Sequence, residues 1–485
     1  MTLTVPAAIR PAREATLPRR PWWPCWPPAA LLALLGGLLV GQRRGLWYDE
    51  LYTAEVGTAG LPALLRAVCT GTRTTSYLAD VPPSYNAPYY VVVHLWLGVT
   101  RLPADEIGLR LLALFAAVGA VVVLVRAVQR LGGTAVALSA GLLAASSPLV
   151  VEYSAEGRMY GLALLAVATT LLGLARWLDG ASRGLLLLGL GGTATGLAHW
   201  FALPVVTGLV VAALLLRRRS ALPVAAVGAL AAVPCLALIA LTRVNGTGTS
   251  AVGWIRESDG AVPVLGLQAW TGTSPVLLAG VVLALGAAVV AAIRGPAARP
   301  LVVVAACWVA VPLALVQAAE LVRPVLVPRY LLPALVALAV FTAVGTASWR
   351  RPVAVAATGS LVALSLLATL PLLDRGPRED GRGAVAALAR VHAAGEVVVA
   401  VDRRAALALE HYGPAALQDD LRVPPADPPP GARVVWLLRQ STGERVHPSD
   451  DDVVLQTAGH RLVEQRVFSA ESSDLVLQRW ELSAG

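Results

Sequence analysis

The 485-residue chain contains no lysine, only four cysteines and two methionines, and just 14% charged side chains. Every basic side chain is therefore an arginine. The four cysteines (Cys25, Cys69, Cys235 and Cys307) are scattered. They show neither metal-ligand spacing nor the pattern of a disulfide framework, and no structural disulfide is expected. So little charge, set against 56% hydrophobic residues, argues against a soluble catalyst and places the chain among multispanning membrane proteins. A Walker loop, a GxGxxG turn and a soluble-type sugar-nucleotide site are also missing, so nothing supports coupling to ATP. Asn245-Gly-Thr247 matches the N-glycosylation pattern, but a match that short carries no weight.

The charge is unevenly distributed. Residues 1–373 hold 26 arginines and 13 acids, whereas residues 374–485 hold 13 arginines and 17 acids. The basic excess belongs to the apolar part, where it reports membrane topology; no nucleic-acid partner is expected. Apolar runs long enough to span a bilayer lie near 27–43, 108–127, 134–150, 159–177, 185–200, 202–217, 221–241, 276–294, 300–318, 330–348 and 353–372. With these eleven spans and the N-terminus inside, 15 arginines fall on the cytoplasmic side. A twelfth span over 88–101 would reverse most of them. That segment is instead expected to be an interfacial helix within a long first outer loop, 43–107.

Three parts result. A cytoplasmic tail (1–26) leads into an uncleaved signal anchor. An all-α polytopic membrane domain (27–373) follows, and then a small extracytoplasmic α/β domain (374–485). In the last part, 396–402, 433–439 and 474–480 read as short buried strands, with helical spacing over 382–394 and 403–412. This topology puts 11 of the 13 acids of the membrane part outside, leaving only Glu14 and Asp179 inside. The expected location is the plasma (inner) membrane, with the chemistry on its outer face.

Two polar clusters stand at that face. Charge beside hydrocarbon is costly and is usually kept for a task. In Glu152-Tyr-Ser-Ala-Glu156-Gly-Arg158-Met-Tyr160, i, i+4 spacing predicts Glu152, Glu156 and Tyr160 on one helical face, with Arg158 pointing elsewhere, to a phosphate. The alternative is a helix end with self-compensating charges. In Trp47-Tyr48-Asp49-Glu50, adjacent carboxylates can hold a divalent cation, or one can act as base while the other orients it; a solvated loop start is the bland alternative. Arg329, opening the tenth span with Tyr330, either snorkels to headgroups or binds a lipid phosphate. His94 and His199 are lone interfacial histidines, open to either a substrate or a structural role.

Several of these stretches together resemble the GT-C superfamily of polyprenyl-phosphate-sugar-dependent glycosyltransferases. The likeness is to the bacterial family 39-like branch, near protein mannosyltransferases and lipid A aminoarabinose transferases. It rests on Leu-Trp-Tyr-Asp-Glu (46–50), Tyr-Tyr-Val-Val-Val-His-Leu-Trp (89–96), residues 152–160, His-Trp-Phe (199–201), Pro-Arg-Tyr-Leu-Leu-Pro (328–333) and Arg-Glu-Asp-Gly-Arg-Gly-Ala-Val (378–385). The resemblance implies a GT-C-like fold and an inverting transfer of a mannose- or arabinose-like sugar. The sugar would pass from a polyprenyl-phosphate donor to a hydroxyl on a glycan, lipid or protein, among membrane lipids. Asp49, Glu50 and Glu156 would be catalytic, with a divalent cation on Asp49 and Glu156 if one is used. Arg158, Tyr160, Tyr89, His94, His199, Arg329 and Tyr330 would bind substrate. In one departure, the family's His/Lys-Pro-Pro-Leu before the paired tyrosines is here Asn86-Ala-Pro88. The rival readings are a polytopic lipid or sugar transporter, for which no internal repeat is visible, and a non-catalytic scaffold of envelope assembly.

Overall fold

The structure, a computed structural model, describes residues 20–70, 87–181, 183–244, 255, 260–423, 431–441 and 450–483. The stretch 80–86 and Asn245-Gly-Thr247 lie outside them. Among the described residues, eight helices are long and apolar enough to cross a bilayer; the bent pair Pro328–Leu335 and Ala337–Ala347 makes a ninth. The remaining two of the eleven expected spans are present in another form. Glu106–Ser146 runs for 41 residues, about twice what a bilayer needs. It breaks at Gly133, where φ is 83°, a value that glycine adopts readily, and so divides into two spans. Arg183–Ala198 has 16 residues. It packs so closely on Tyr160–Leu178 that a Cβ at Gly173 would sit 2.3 Å from the Leu188 amide nitrogen. Every expected segment thus falls on a helix, and the chain is a multi-pass membrane protein.

One end of the bundle carries the connections that matter. After Trp26–Gly41 the chain forms the helices Tyr48–Thr58, Leu61–Thr70 and Ala87–Thr100. The last covers the segment expected to lie at the interface; with 14 residues it is too short to span. It buries Tyr89, Tyr90 and Val93 and leaves Leu95 and Val99 exposed.

The C-terminal domain is a five-stranded sheet in the order β2-β1-β3-β5-β4, with β1 Val397–Ala400, β2 Leu421–Arg422, β3 Val434–Ser441, β4 His460–Phe468 and β5 Asp474–Leu482. β1 runs parallel to β2 and β3, while β5 is antiparallel to β3 and β4. The expected helices are Gly381–Val391 and Arg403–Tyr412, capped by the Asp380 and Asp402 carboxylates. Edge strand β4, not anticipated, exposes most of its side chains and so has no apolar run to mark it.

This domain is tied to the bundle through the segment that leads into Tyr48–Thr58. Its base is set within the bundle, where the Arg44 guanidinium donates to the carbonyls of Leu372 and Leu373, at the end of the last long helix, at 2.8 and 2.9 Å. The Leu46 amide donates to the Tyr412 hydroxyl (2.6 Å), and the Tyr48 amide to the Glu379 carboxylate (2.8 Å).

Candidate functional site

Tyr48–Thr58 begins after an extended Trp47 and carries Asp49 and Glu50 in its first turn, where the helix dipole favours anions. Neighbours on a helix face about 100° apart, and these two carboxylates part company. Glu50 turns inward and is fully buried. Arg110 grips both its oxygens at 2.8 and 2.6 Å, and the Gly157 amide donates to it at 2.7 Å. Asp49 faces two other guanidinium groups: Arg158 Nε lies 4.0 Å and Arg329 Nη2 3.9 Å from its Oδ2.

The 152–160 cluster departs from the expected helical face. The helix Pro148–Ser154 stops, and residues 155–159 form a turn before Tyr160–Leu178. The turn is held from outside, because the Gly157 amide bonds to Glu50 instead of continuing the helix. This turn drives Arg158 into the protein, where it is 5% exposed. Its Nη1 donates to the Asp49 carbonyl (3.0 Å), Thr53 Oγ1 (3.1 Å) and the Tyr90 hydroxyl (3.4 Å).

Glu152 and Glu156 still meet, through a residue whose role was not anticipated. Arg378, from the start of the C-terminal domain, donates to Glu156 at 2.8 Å and to Glu152. Its guanidinium also lies 5.0 Å from the Trp47 ring centre and 5.3 Å from that of Tyr153. Arg329 stands 5.5 Å from the Trp47 ring centre. Glu156 is 5% exposed and its Oε1 has no hydrogen-bond partner among the described residues. Burial pushes its carboxyl up to about 7, against the opposing pull of Arg378 and Arg329.

Aromatic rings continue the site. Tyr153 meets Tyr160 (ring centres 4.9 Å apart), Tyr160 meets His199 (5.7 Å), and His199 meets Tyr330 (5.0 Å). His199 Nδ1 accepts from the Phe201 amide, and its Nε2 has no partner among the described residues. Tyr89 is buried, its hydroxyl without a partner among the described residues and its ring against Tyr90. His94 stands apart: its Nδ1 pairs with the Gly57 carbonyl and pins the helices Tyr48–Thr58 and Ala87–Thr100 together. The structure therefore gathers Asp49, Glu156, Arg158, Tyr160, His199, Arg329 and Tyr330, adds Arg378, and places Glu50 in a buried ion pair beneath them.

A divalent cation needs several oxygen or nitrogen donors around one point. Among the described residues no three His, Cys, Asp or Glu side chains converge. Asp49 and Glu156 each face arginines, which supply the positive charge that a cation would bring.

No family model matches the chain, and no curated protein matches it in sequence. Solved structures match in fold. ArnT from Cupriavidus metallidurans bound to undecaprenyl phosphate is 14% identical, with a TM-score of 0.57 over 93% of this chain and 97% of that one. The arabinofuranosyltransferase AftD from Mycobacteria is 17% identical (TM-score 0.53, 94% of this chain, 40% of that one). The oligosaccharyltransferase AglB from Archaeoglobus fulgidus, in complex with an inhibitory peptide and a dolichol-phosphate, is 11% identical (TM-score 0.51, 84% and 65%). The chain has the GT-C fold.

Proposed function

We propose that this chain is an inverting glycosyltransferase that moves a mannose- or arabinose-like sugar from a polyprenyl-phosphate donor to a hydroxyl acceptor at the extracytoplasmic face of the plasma membrane. One observation carries the reading: two guanidinium groups, the buried Arg158 and the half-buried Arg329, converge on the Asp49 carboxylate at the loop end of an apolar bundle. A soluble protein has little use for such a cluster. At a membrane boundary it suits a lipid phosphate meeting a group that must lose a proton. The arginine-rich opposite end supports the orientation, and the lipid phosphates named with the ArnT and AglB structures support the donor class.

In the proposed reaction the acceptor oxygen attacks the anomeric carbon as the bond from that carbon to the phosphate oxygen breaks. The electron pair leaves with the phosphate, and the acceptor proton passes to Asp49. A phosphate is a good leaving group, so the protein mainly has to hold its charge. Arg158 and Arg329 are the groups that do so; as planar forks they can each contact two phosphate oxygens. A single displacement inverts the anomeric centre. Glu50, locked on Arg110, sets the position of the helix turn that presents Asp49. If a divalent cation participates, Asp49 and Glu156 are the residues that would hold it, taking over charge that the arginines otherwise provide.

The test is incubation of the purified full-length protein with labelled polyprenyl-phosphate sugars, wild type against Asp49→Asn. Release of polyprenyl phosphate by the wild type and its loss in the variant are expected. If no member of a mannose and arabinose donor panel is consumed, the reading fails.

A further inference from the structure

At the end of the bundle away from the site, a cleft of about 630 Å³ opens between helix ends. Its walls come from the break in Glu106–Ser146, the last turns of Pro275–Arg294, the first turn of Arg299–Glu320 and the end of Ala337–Ala347. Glu106 accepts from the Tyr412 hydroxyl and Tyr330 meets His199, so the segments that carry them start at the site and reach the cleft at their far ends. We infer that this cleft binds one anionic phospholipid of the leaflet opposite the site, with an acyl chain inside and the phosphate at Arg294. The inference needs only that the bundle sits in a bilayer and does not use the transferase reading.

Packing makes the space. A Cβ on Gly345 would sit 1.8 Å from the Ala284 carbonyl oxygen, so Pro275–Arg294 and Ala337–Ala347 are in backbone contact there. From the next turn on they line the cleft instead, through Ala287, Val290 and Ala347. Leu301 closes another wall, its Cδ2 2.5 Å from where a Cβ on Gly132 would stand. At about 30 Å³ for a water-sized group, the volume holds about twenty such groups. A methylene is of that size, so one fatty acyl chain fills the cleft. Apolar cavities do not hold water and take apolar occupants.

Charge selects the lipid. Arg294 lines the cleft, and among the described residues no carboxylate joins it there. Arg299 follows the lining residue Ala298, and Arg350 and Arg351 follow Trp349. All four arginines are exposed, and none makes an ion pair among the described residues. Arg130, two residues before Gly132, is by contrast held by Asp179 at 2.9 Å. Four unneutralised guanidinium groups at one membrane boundary favour an anionic headgroup over a zwitterionic one. Trp349, 38% exposed on the rim, is the kind of ring that sits at headgroup level. A two-chain phospholipid places one chain inside and leaves the other in the bilayer, whereas the single long tail of undecaprenyl phosphate overfills the space.

The test places the full-length protein in phosphatidylcholine nanodiscs doped with a phosphatidylglycerol that carries a photoreactive diazirine on one acyl chain. Labelled peptides are mapped by mass spectrometry, with a diazirine phosphatidylcholine as control. The helix Leu222–Val244, which exposes Leu222, Leu230 and Leu236, is the reference for contact with bulk lipid. Relative to it, phosphatidylglycerol is expected to label residues 287–301 and 344–349 at least about fivefold more than phosphatidylcholine does. Arg294→Gln should lower that preference by about fivefold, the effect of one guanidinium at an anionic surface. Gly295→Leu, at a lining position where a Cβ meets the Ala291 carbonyl oxygen at 3.6 Å, should fill the mouth and reduce labelling by both lipids without changing the melting temperature. Arg350→Gln, with the same expected direction, takes the place of Arg294→Gln if that variant melts lower. Equal labelling by the two lipids overturns the inference and leaves ordinary bilayer contact. Labelling that both arginine variants leave unchanged overturns it too. So does labelling that an equimolar amount of undecaprenyl phosphate abolishes, which assigns the cleft to the polyprenyl lipid.

Discussion

Arg378→Gln separates a charge-bearing contact from a packing one. The guanidinium reaches Glu156 across 2.8 Å, with side chains 18% and 6% exposed, so little water screens the pair. With charge centres about 4 Å apart and an effective dielectric near 20, the attraction is about 4 kcal/mol. Breaking a buried pair typically costs about 3–5 kcal/mol. The carboxyl has an escape, however, because it can take up a proton. Its folded pKa of about 7 already stands above the ordinary 4.5. The folded state therefore holds this proton more tightly than the unfolded state does. The group's contribution to stability falls as pH rises from 4.5 to 7 and then levels off.

Removing Arg378 takes away the strongest of the charges that pull the carboxyl down, and raises the folded pKa further. At pH 6 the carboxyl is then mostly neutral in both proteins, and this pair costs almost nothing. At pH 8.5 the wild type is ionised, and the variant must either bury a bare charge or bind a proton, a net penalty of about 2 kcal/mol. The lost contact to the more exposed Glu152 adds at most about 1 kcal/mol at either pH. Thermal unfolding in nanodiscs, followed by tryptophan fluorescence, should show a deficit for Arg378→Gln that is larger at pH 8.5 than at pH 6 by about 2–4 °C. A deficit of the same size at both values would refute the reasoning, because it would mean that Arg378 acts by packing and that Glu156 is not ionised beside it.

Four further outcomes follow from the same geometry. Asp49→Asn should reduce transfer by at least about 10²-fold, the scale of a lost general base, with melting nearly unchanged; retention of a tenth of the rate removes Asp49 as the base. Glu50→Gln should behave in the opposite way to a purely catalytic lesion. By leaving Arg110 buried without its carboxylate it should lower stability by about 3–5 kcal/mol, seen as a lower melting point and poor yield. Arg158→Lys should weaken undecaprenyl phosphate binding and slow transfer, since a point charge replaces a planar fork; wild-type affinity and rate in that variant shift the phosphate role to Arg329 alone. Chelation with EDTA should leave transfer within about twofold of its starting rate if the arginines carry the phosphate charge, and a collapse restored by added divalent cation would assign that role to a metal on Asp49 and Glu156.

The bundle was legible because hydrocarbon-length runs and arginine placement are one-dimensional signals, and all eleven runs fall on helices. Two of the spans depended on details that hydropathy blurs, namely the break at Gly133 and the short Arg183–Ala198 helix. Asp49, Glu156 and Arg158 stood out as isolated charge between apolar runs. What adjacency could not tell was which of Asp49 and Glu50 faces the site. That depends on Arg110, which lies 60 residues away and accepts only one of them as a partner. β4 carried no signal because an edge strand with both faces largely exposed does not alternate in polarity.

Arg378 was the least legible residue, and the reason lies in how the site is built. It lies 222 residues from Glu156, in a polar stretch that looks like an ordinary domain start. Its neighbour Glu379 takes the Tyr48 amide, while Tyr412 in the same domain takes the Leu46 amide. These contacts flank Trp47, the residue whose ring both Arg329 and Arg378 approach. The C-terminal domain is thus part of the site's construction. It fixes the backbone on both sides of Trp47, at Leu46 and at Tyr48, the residue before Asp49, and supplies the charge that Glu156 faces. Three charged partners drawn from three distant segments leave no local pattern to read. Only the fold, by docking the sheet domain on the loop end of the bundle, brings them together.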